Sequence, residues 1–340
     1  MSILDWCIDM KRRKIENCRD SNGYINLNKL ESYREKGEVV EGKNAKCWYN
    51  VDGCRFLFKE YKDILPAFGE VLYSKVAALC NVSCAEYDFA IYNGKIGTIS
   101  YDFLSEDKVY YNCFELTTKF LDVKFSLEDI KNNKELLIMH NNKYNNLIAI
   151  RELLNNLFGT SDKEKREIEI ELIKRFCLDT VFLHRDRNLW NYGTIVDERT
   201  DTMGLAPSHD NSYVLCLEKG EKYIEEVIVS LINGKTLGGL DKLEVMRNVD
   251  LDDDSMIQLV KFYHDSGTED REIIDKLISD IDVENTVQDL CEVCEIGDVS
   301  KLWIKALLNY RKFTILNGLE NVKINDNKAN RPNFTFSKRK

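Results

Sequence analysis

The segment 184–191, with the sequence His-Arg-Asp-Arg-Asn-Leu-Trp-Asn, constrains this chain more than any other stretch. Asp186 precedes Asn191 by five residues, and Asp210 follows after a short predicted hairpin. A carboxylate such as Asp186 can orient a hydroxyl group and accept its proton. The amide oxygen of Asn191 and the carboxylate of Asp210 are hard ligands of the kind that Mg²⁺ prefers. This spacing indicates a phosphoryl-transfer site; the alternative is a polar loop in which Asp186 only caps neighbouring backbone.

Length, charge and cysteine usage limit the class of protein. The chain has 340 residues, which are too many for one small core and predict two domains or two lobes. Its net charge of −10 argues against a general nucleic-acid binder, because phosphate contacts need a basic face. No apolar run reaches the roughly 18–20 residues that cross a bilayer, and no secretory signal is evident. The 11 cysteines are an odd number with mostly apolar neighbours, which is typical of reduced thiols. We therefore expect a cytoplasmic protein with neither a membrane nor a nucleic-acid partner.

The first third of the chain predicts a small antiparallel sheet with one main helix. The pairs Asp52-Gly53 and Asn93-Gly94 each lie between strand-like runs, and both favour two-residue hairpin turns. The predicted strands are 46–51, 54–59, 87–92 and 95–103. A helix over about 67–80, with a buried stripe of Phe68, Leu72, Val76 and Leu79, separates the two hairpins. Short helices are also predicted at 3–18 and 25–35.

The rest of the chain reads as mostly helical. Helices are predicted at 126–138 and 144–158, and after a capping box formed by Ser161 and Glu164. The last of these helices carries His184 and Asp186 just beyond its end. A hairpin of 192–196 with 203–206 follows, and the region 221–318 shows further helical stripes. One such stripe is Leu302, Ala306, Leu307 and Tyr310.

These motifs resemble the HipA-type serine/threonine kinases of bacterial toxin–antitoxin systems over roughly residues 40–315. The Asp-x-x-x-x-Asn motif of that family matches Asp186 and Asn191, and its Leu-Ala-Pro-x-x-Asp motif matches 205–210. The resemblance implies an α+β, two-lobed, protein-kinase-like fold with an antiparallel-sheet N-lobe and a larger helical C-lobe. The corresponding segments are 1–38 (an N-terminal helical extension), 39–104 (the N-lobe), 105–323 (the C-lobe) and 324–340 (a flexible tail).

The resemblance also implies ATP and Mg²⁺ as cofactors, with particular residues holding them. Asp186 would be the catalytic carboxylate, and Asn191 and Asp210 the metal ligands. Lys59 would hold the nucleotide phosphates with Glu70 fixing it, and Lys46 lies where a phosphate-covering loop belongs. The remaining nucleotide-binding residues would belong to the hinge that binds adenine: Asp102, Phe103 and Leu104.

Several alternatives stay open at this point. Taken alone, Lys59 could be a lysine on an edge strand, where its charge discourages aggregation. Glu70 could be an acid in the first turn of a helix, where the helix dipole favours it. The kinship implies transfer to Ser/Thr hydroxyls of a protein substrate, often with self-phosphorylation, and an antitoxin-like partner. A small-molecule kinase of the antibiotic-modifying type, a lipid kinase, and a nucleotide-binding pseudokinase scaffold are the rival functions.

Overall fold

A computed structural model provides the structure of the chain, and its described residues cover most of both predicted lobes. They are residues 12–30, 33–34, 45–104, 107–120, 126–137, 139, 162–191, 193–197, 199–200, 202–232, 260–261, 263–265 and 267–321. The predicted helix 144–158 and the Ser161 capping box lie outside them, as do residues 3–11. The predicted domain boundaries fall at or beyond the edges of the described ranges and stay predictions.

The sheet of the N-lobe has six strands within the described residues, in the order β1-β5-β6-β4-β3-β2. Its strands are β1 (Ile25–Asn26), β2 (Tyr33–Arg34), β3 (Lys46–Val51), β4 (Cys54–Glu60), β5 (Tyr87–Tyr92) and β6 (Lys95–Tyr101). All neighbours pair antiparallel except β1 with β5. Both predicted hairpin turns are present, with positive φ at Asp52, Gly53, Asn93 and Gly94. The predicted helix at 25–35 is wrong, because Ile25–Asn26 pairs with β5 and a 3-10 turn follows at Leu27–Lys29.

Helix α1 (Ile64–Leu79) packs against one face of this sheet. It begins three residues before the predicted start, because the Asp63 side chain accepts the Leu65 N–H at 2.9 Å and caps the helix. Glu70 consequently lies in the second turn and is fully buried, so a favourable helix-dipole position does not explain it. The predicted buried stripe is correct except at Leu79, which is 54% exposed.

The N-terminal segment 12–30 covers the opposite face of the sheet. Residues 12–16 are helical, and Ile15, Ile25 and Leu27 are buried in an apolar cluster with the sheet side chains. Three basic residues of this segment, Arg12, Lys14 and Arg19, pair with acids of the N-lobe, and the Arg12–Glu86 pair is 2.8 Å apart. The sheet is therefore covered on both faces.

A second sheet and a set of helices form the larger lobe. The sheet has the order β7-β8-β9, from β7 (Lys108–Asn112), β8 (Gly193–Asp197) and β9 (Thr202–Leu205). The helices are α2 (Cys113–Phe120), α3 (Leu127–Asn132), α4 (Asp162–Val181), α5 (Glu221–Ile232), α6 (Thr268–Asp280), α7 (Val283–Val293) and α8 (Asp298–Asn321). The β8–β9 hairpin was predicted, whereas β7 was not.

One apolar core joins the two lobes. It contains Phe68 and Leu72 of α1 together with Phe176 of α4 and Ile304 of α8. The predicted stripe on α8 is partly wrong, since Leu302 is 61% exposed while the neighbouring Trp303 is buried. Because α1 is buried against helices of the larger lobe, the N-lobe sheet is held in a defined position above segment 184–191. None of the described helices is both long and apolar enough to span a membrane.

Candidate active site

Lys59 lies near the end of β4, and its side chain points toward the larger lobe. The antiparallel register places it opposite Lys46 on β3 and Thr98 on β6. Its Nζ donates to Glu70 Oε1 at 3.1 Å, and both side chains are almost completely buried. Glu70 Oε2 accepts hydrogen bonds from Tyr61 Oη at 2.6 Å and Thr98 Oγ1 at 2.8 Å. These contacts satisfy the glutamate on both oxygens and hold the lysine in one orientation.

The same ammonium group reaches the larger lobe. Lys59 Nζ donates to Asp210 Oδ1 at 2.5 Å and to Ser212 Oγ at 3.2 Å. Burial on its own would lower the pKa of Lys59, but the carboxylates of Glu70 and Asp210 raise it well above its ordinary value. Lys59 is therefore a buried cation that links both lobes, and the edge-lysine alternative does not describe it.

Asp210 is held in an uncommon backbone conformation. Its φ of 55° is in the left-handed region, where aspartate is tolerated better than most side chains. Its N–H donates to Tyr87 Oη at 3.0 Å, and Lys46 Nζ lies 3.5 Å from its Oδ2. Burial would raise the pKa of Asp210, but the charges of Lys59 and Lys46 lower it below its usual range. The carboxylate is thus ionised and faces two lysines.

Asp186 and Asn191 belong to a tight loop after α4. The side-chain nitrogen Nδ2 of Asn191 donates to the Asp186 backbone oxygen at 2.5 Å. The side-chain oxygen of Asn191 is therefore directed away from that carbonyl. Asp186 Oδ1 accepts a hydrogen bond from Asn188 Nδ2 at 2.9 Å. Burial and the nearby charge of Asp210 raise the pKa of Asp186. The two aspartates therefore lie close enough for their charges to interact.

A buried arginine, which sequence reasoning missed, fastens this loop to the loop of Asp210. Arg187 donates from Nε and Nη2 to the two oxygens of Asp179 on α4, both at 2.9 Å. It also donates to His209 O at 2.9 Å and to Asn211 Oδ1 at 2.7 Å. A signal was present, because Asp179 interrupts a run of apolar residues and a charge in such a place needs a partner.

His184 is a buried residue next to the Arg187 network. Its ring meets Tyr73 edge to face at 5.8 Å, and burial together with the charge of Arg187 lowers its pKa to about 3. The ring is therefore neutral near pH 7. Backbone hydrogen bonds also join the loops, from Arg185 N to Tyr213 O and from Leu215 N to Phe182 O, each at 2.9 Å.

The predicted hinge follows β6 directly. Asp102 N–H donates to Arg55 O at 3.0 Å, and Leu104 N–H donates to Asp102 Oδ1 at 2.9 Å. These two N–H groups are used within the protein, so recognition of a base would depend more on Phe103 and on the carbonyl groups. The Phe103 ring packs against Tyr110 and His209, with centroids 6.1 and 5.8 Å away.

The donor set of this site suits a magnesium ion shared with a nucleotide. The described residues contain no group of three or more His, Cys, Asp or Glu side chains arranged for a metal. One carboxylate and one amide oxygen suffice for Mg²⁺ when phosphate oxygens and waters complete the shell. Asp210 is ionised, and the hydrogen bond to the Asp186 carbonyl uses the side-chain nitrogen of Asn191, not its oxygen. The side chains present therefore fit this ion.

Comparisons with known proteins agree with this fold. No family model and no curated protein matches the sequence. The structure resembles the crystal structure of the Helicobacter pylori proinflammatory kinase CtkA, with a TM-score of 0.61, 12% sequence identity, and coverage of 87% of this chain and 96% of that one. A second match is to HipA of Shewanella oneidensis, solved in a toxin–antitoxin complex with HipB and operator DNA. That match has a TM-score of 0.49, 11% identity, and coverage of 84% of this chain and 67% of that one. The chain therefore has the fold of the kinase CtkA over most of its length, and the predicted two-lobed, kinase-like fold is confirmed.

Proposed function

We propose that this chain is an ATP- and Mg²⁺-dependent phosphotransferase that acts on a hydroxyl group. The observation that carries the proposal is the double contact of Lys59, at 3.1 Å to Glu70 and 2.5 Å to Asp210. A buried lysine that joins a helix carboxylate of one lobe to a loop carboxylate of the other is costly to desolvate. Such an arrangement suits a site that receives a polyanion between the lobes.

In the proposed reaction, Asp186 orients the acceptor hydroxyl and takes its proton while the oxygen bonds to the γ-phosphorus. The bond from that phosphorus to the β,γ-bridging oxygen breaks, and ADP leaves. The hydrogen bond from Asn188 holds one carboxylate oxygen of Asp186, which fixes its orientation. The raised pKa of Asp186 makes this carboxylate a better proton acceptor.

The remaining side chains bind the nucleotide. Lys59 and Lys46, paired across β3 and β4, carry two positive charges toward the phosphates. Asn191 and Asp210 would hold Mg²⁺, which when bound neutralises phosphate charge and aligns the transferred group. Phe103 would offer an apolar ring and its backbone N–H to the adenine.

The identity of the phosphate acceptor and of any protein partner is proposed from the family resemblance. On the family resemblance we take Ser/Thr hydroxyls of proteins as the acceptor, including those of the chain itself, and the cytoplasm as the place of action. An antitoxin-like protein partner rests on that resemblance alone.

The test is transfer of labelled γ-phosphate from ATP in a cell lysate, followed by mass spectrometry of the labelled products. Wild type should label protein Ser or Thr, and Asp186→Ala should reduce the rate about 10²–10⁴-fold. Asp289→Ala removes an exposed carboxylate on α7 and is the matched control, with unchanged labelling expected.

Other outcomes would redirect the proposal. Equal labelling by wild type and Asp186→Ala would remove Asp186 from the mechanism. Label in metabolites or lipids instead of proteins would indicate a small-molecule or lipid kinase. ATP binding by wild type without any turnover would indicate a pseudokinase scaffold.

A further inference from the structure

Tyr110 touches the residue that precedes each candidate metal ligand. It lies on β7, and its hydroxyl oxygen is 3.3 Å from the backbone oxygen of Trp190 and 3.2 Å from His209 Nε2. Trp190 comes directly before Asn191, and His209 directly before Asp210. A single hydroxyl on a third segment of the chain thus bridges the two loops.

The contact with Trp190 acts on the backbone of Asn191. The Trp190 carbonyl and the Asn191 nitrogen share one planar peptide unit, so holding the oxygen fixes that plane. The Asn191 side chain is meanwhile held by its 2.5 Å hydrogen bond to Asp186 O. The backbone and the side chain of Asn191 are therefore both restrained.

The contact with His209 acts on the loop of Asp210. His209 Nδ1 lies 3.1 Å from Pro207 O, and since a carbonyl only accepts, Nδ1 donates there. In the neutral ring Nε2 is then an acceptor, so the one hydroxyl proton of Tyr110 is shared between Nε2 at 3.2 Å and the Trp190 oxygen at 3.3 Å in a three-centre hydrogen bond. The His209 carbonyl accepts a hydrogen bond from Arg187. The backbone N–H of the next residue, Asp210, donates to the Tyr87 hydroxyl. With Tyr110 in place, the ring and the following peptide are all fixed.

The Tyr110 ring is itself held in place. It meets His209 edge to face at 5.3 Å and Phe103 at 6.1 Å. Gly193 on the neighbouring strand makes room for it, because a Cβ at that position would overlap both the Tyr110 ring and Tyr111 O. The hydroxyl therefore occupies a place defined by packing.

We infer that Tyr110 is a positioning residue that sets the separation of Asn191 and Asp210 and so determines how tightly the site binds a divalent cation with its nucleotide. This inference rests on the proposed function, because those two side chains are its candidate ligands. Residues that orient metal ligands without touching the ion often change metal affinity 10–100-fold when they are substituted.

The test compares Tyr110→Phe with Tyr111→Phe. The first keeps the ring and removes the bridging hydroxyl; the second removes a hydroxyl from the next residue on the same strand, whose ring packs on the core. Binding of Mn²⁺ in the presence of a non-hydrolysable ATP analogue is measured by electron paramagnetic resonance. We expect about tenfold weaker Mn²⁺ binding for Tyr110→Phe, no change for Tyr111→Phe, and unchanged metal-free nucleotide affinity for both.

Each failure has a distinct meaning. If wild type binds Mn²⁺ with nucleotide and Tyr110→Phe binds it equally well, the inference is wrong while the proposed function stands. An equal loss in both variants also overturns it, because the effect would then be ordinary packing. If wild type does not bind Mn²⁺ with nucleotide, the proposed function and this inference both fail.

A second variant covers the case in which Tyr110→Phe does not fold. His209→Phe keeps a ring of similar size and removes one of the two acceptors of the Tyr110 hydroxyl. Its Mn²⁺ affinity should fall by a similar factor, and an unchanged affinity would contradict the inference.

Discussion

Replacement of Arg187 by methionine removes the cation that joins the two loops of the site. Its guanidinium makes hydrogen bonds of 2.9, 2.9, 2.9 and 2.7 Å to Asp179, His209 O and Asn211, and its side chain and that of Asp179 are completely inaccessible to solvent. Methionine fills part of the same volume but pairs with none of these acceptors. The Asp179 carboxylate would keep the Tyr73 hydroxyl at 2.7 Å and lose its countercharge.

The expected loss of stability is large for one substitution. Removing one partner of a buried ion pair costs about 3–5 kcal/mol, because the remaining charge is left without compensation. At about 2–4 °C per kcal/mol, the Tm should fall by roughly 10 °C. Since Asn191 and Asp210 depend on the same loops, nucleotide binding should weaken as well.

The assay is thermal unfolding followed by circular dichroism, with Arg199→Met as the control. Arg199 pairs with Asp107 at 3.9 Å, and the two side chains are 73% and 64% exposed. Exposed ion pairs contribute little to stability, so the Tm of the control should equal that of wild type. If Arg187→Met has the same Tm as Arg199→Met, the reasoning is refuted.

A double variant tests whether the unpaired charge is the cause. Arg187→Met combined with Asp179→Leu removes both charges and should be more stable than Arg187→Met alone. If the double variant loses at least the sum of the two single losses, lost hydrogen bonds and packing explain the effect instead.

The pH dependence has a defined sign. Burial would raise the pKa of Asp179, but the charge of Arg187 outweighs it and the pKa lies below its usual range. The stabilisation is therefore complete above the unfolded pKa near 4 and is lost as pH falls through the lower folded value. Without Arg187, burial raises the pKa of Asp179, so the variant gains stability as the carboxylate protonates above about pH 4. The difference in Tm between wild type and Arg187→Met should therefore begin to narrow above about pH 4 and narrow further below it.

Two further predictions concern packing and are measured by denaturant or thermal unfolding. Gly23 has a φ of 87°, and a Cβ there would lie 2.9 Å from Val293 Cγ1. Gly23→Ala should therefore destabilise the chain by about 1–2 kcal/mol, whereas Gly204→Ala, with no atom within 4 Å of its added Cβ, should not. Trp303→Ala should cost about 3–5 kcal/mol because Trp303 is 4% exposed. Leu302→Ala, at 61% exposure, should change stability far less, and equal losses would contradict the helical phase described for α8.

Local features of this chain were predictable because their physics is local. Asp-Gly and Asn-Gly pairs tolerate two consecutive positive φ angles, so both hairpins of the N-lobe followed from four residues. The register of the first hairpin, which the sequence analysis did not use, pairs Lys59 with Lys46. The spacing of Asp186, Asn191 and Asp210 likewise suggested, from the sequence alone, the chemistry that we propose for them.

Features that depend on distant partners were missed or misread. Residues 25–35 looked helical, yet their strand forms because β5 lies alongside, 65 residues later at the Ile25–Ala90 pair. Strand β7 was missed because its partner β8 follows 81 residues later at the Asn112–Gly193 pair. The α8 stripe was shifted in phase, since which side of that helix is buried depends on α4, α5 and α7.

The amino-acid order alone therefore determined which side chains carry the proposed chemistry, because residue type and short spacing set what a carboxylate, amide or ammonium group can do. Only the tertiary structure decided what holds them: Glu70 and Asp210 on the same ammonium, Arg187 between two loops, and Tyr110 against Trp190 and His209, the residues before Asn191 and Asp210. Those contacts join segments far apart in the chain. They form only when the common apolar core brings the segments together, and no local pattern encodes that closure.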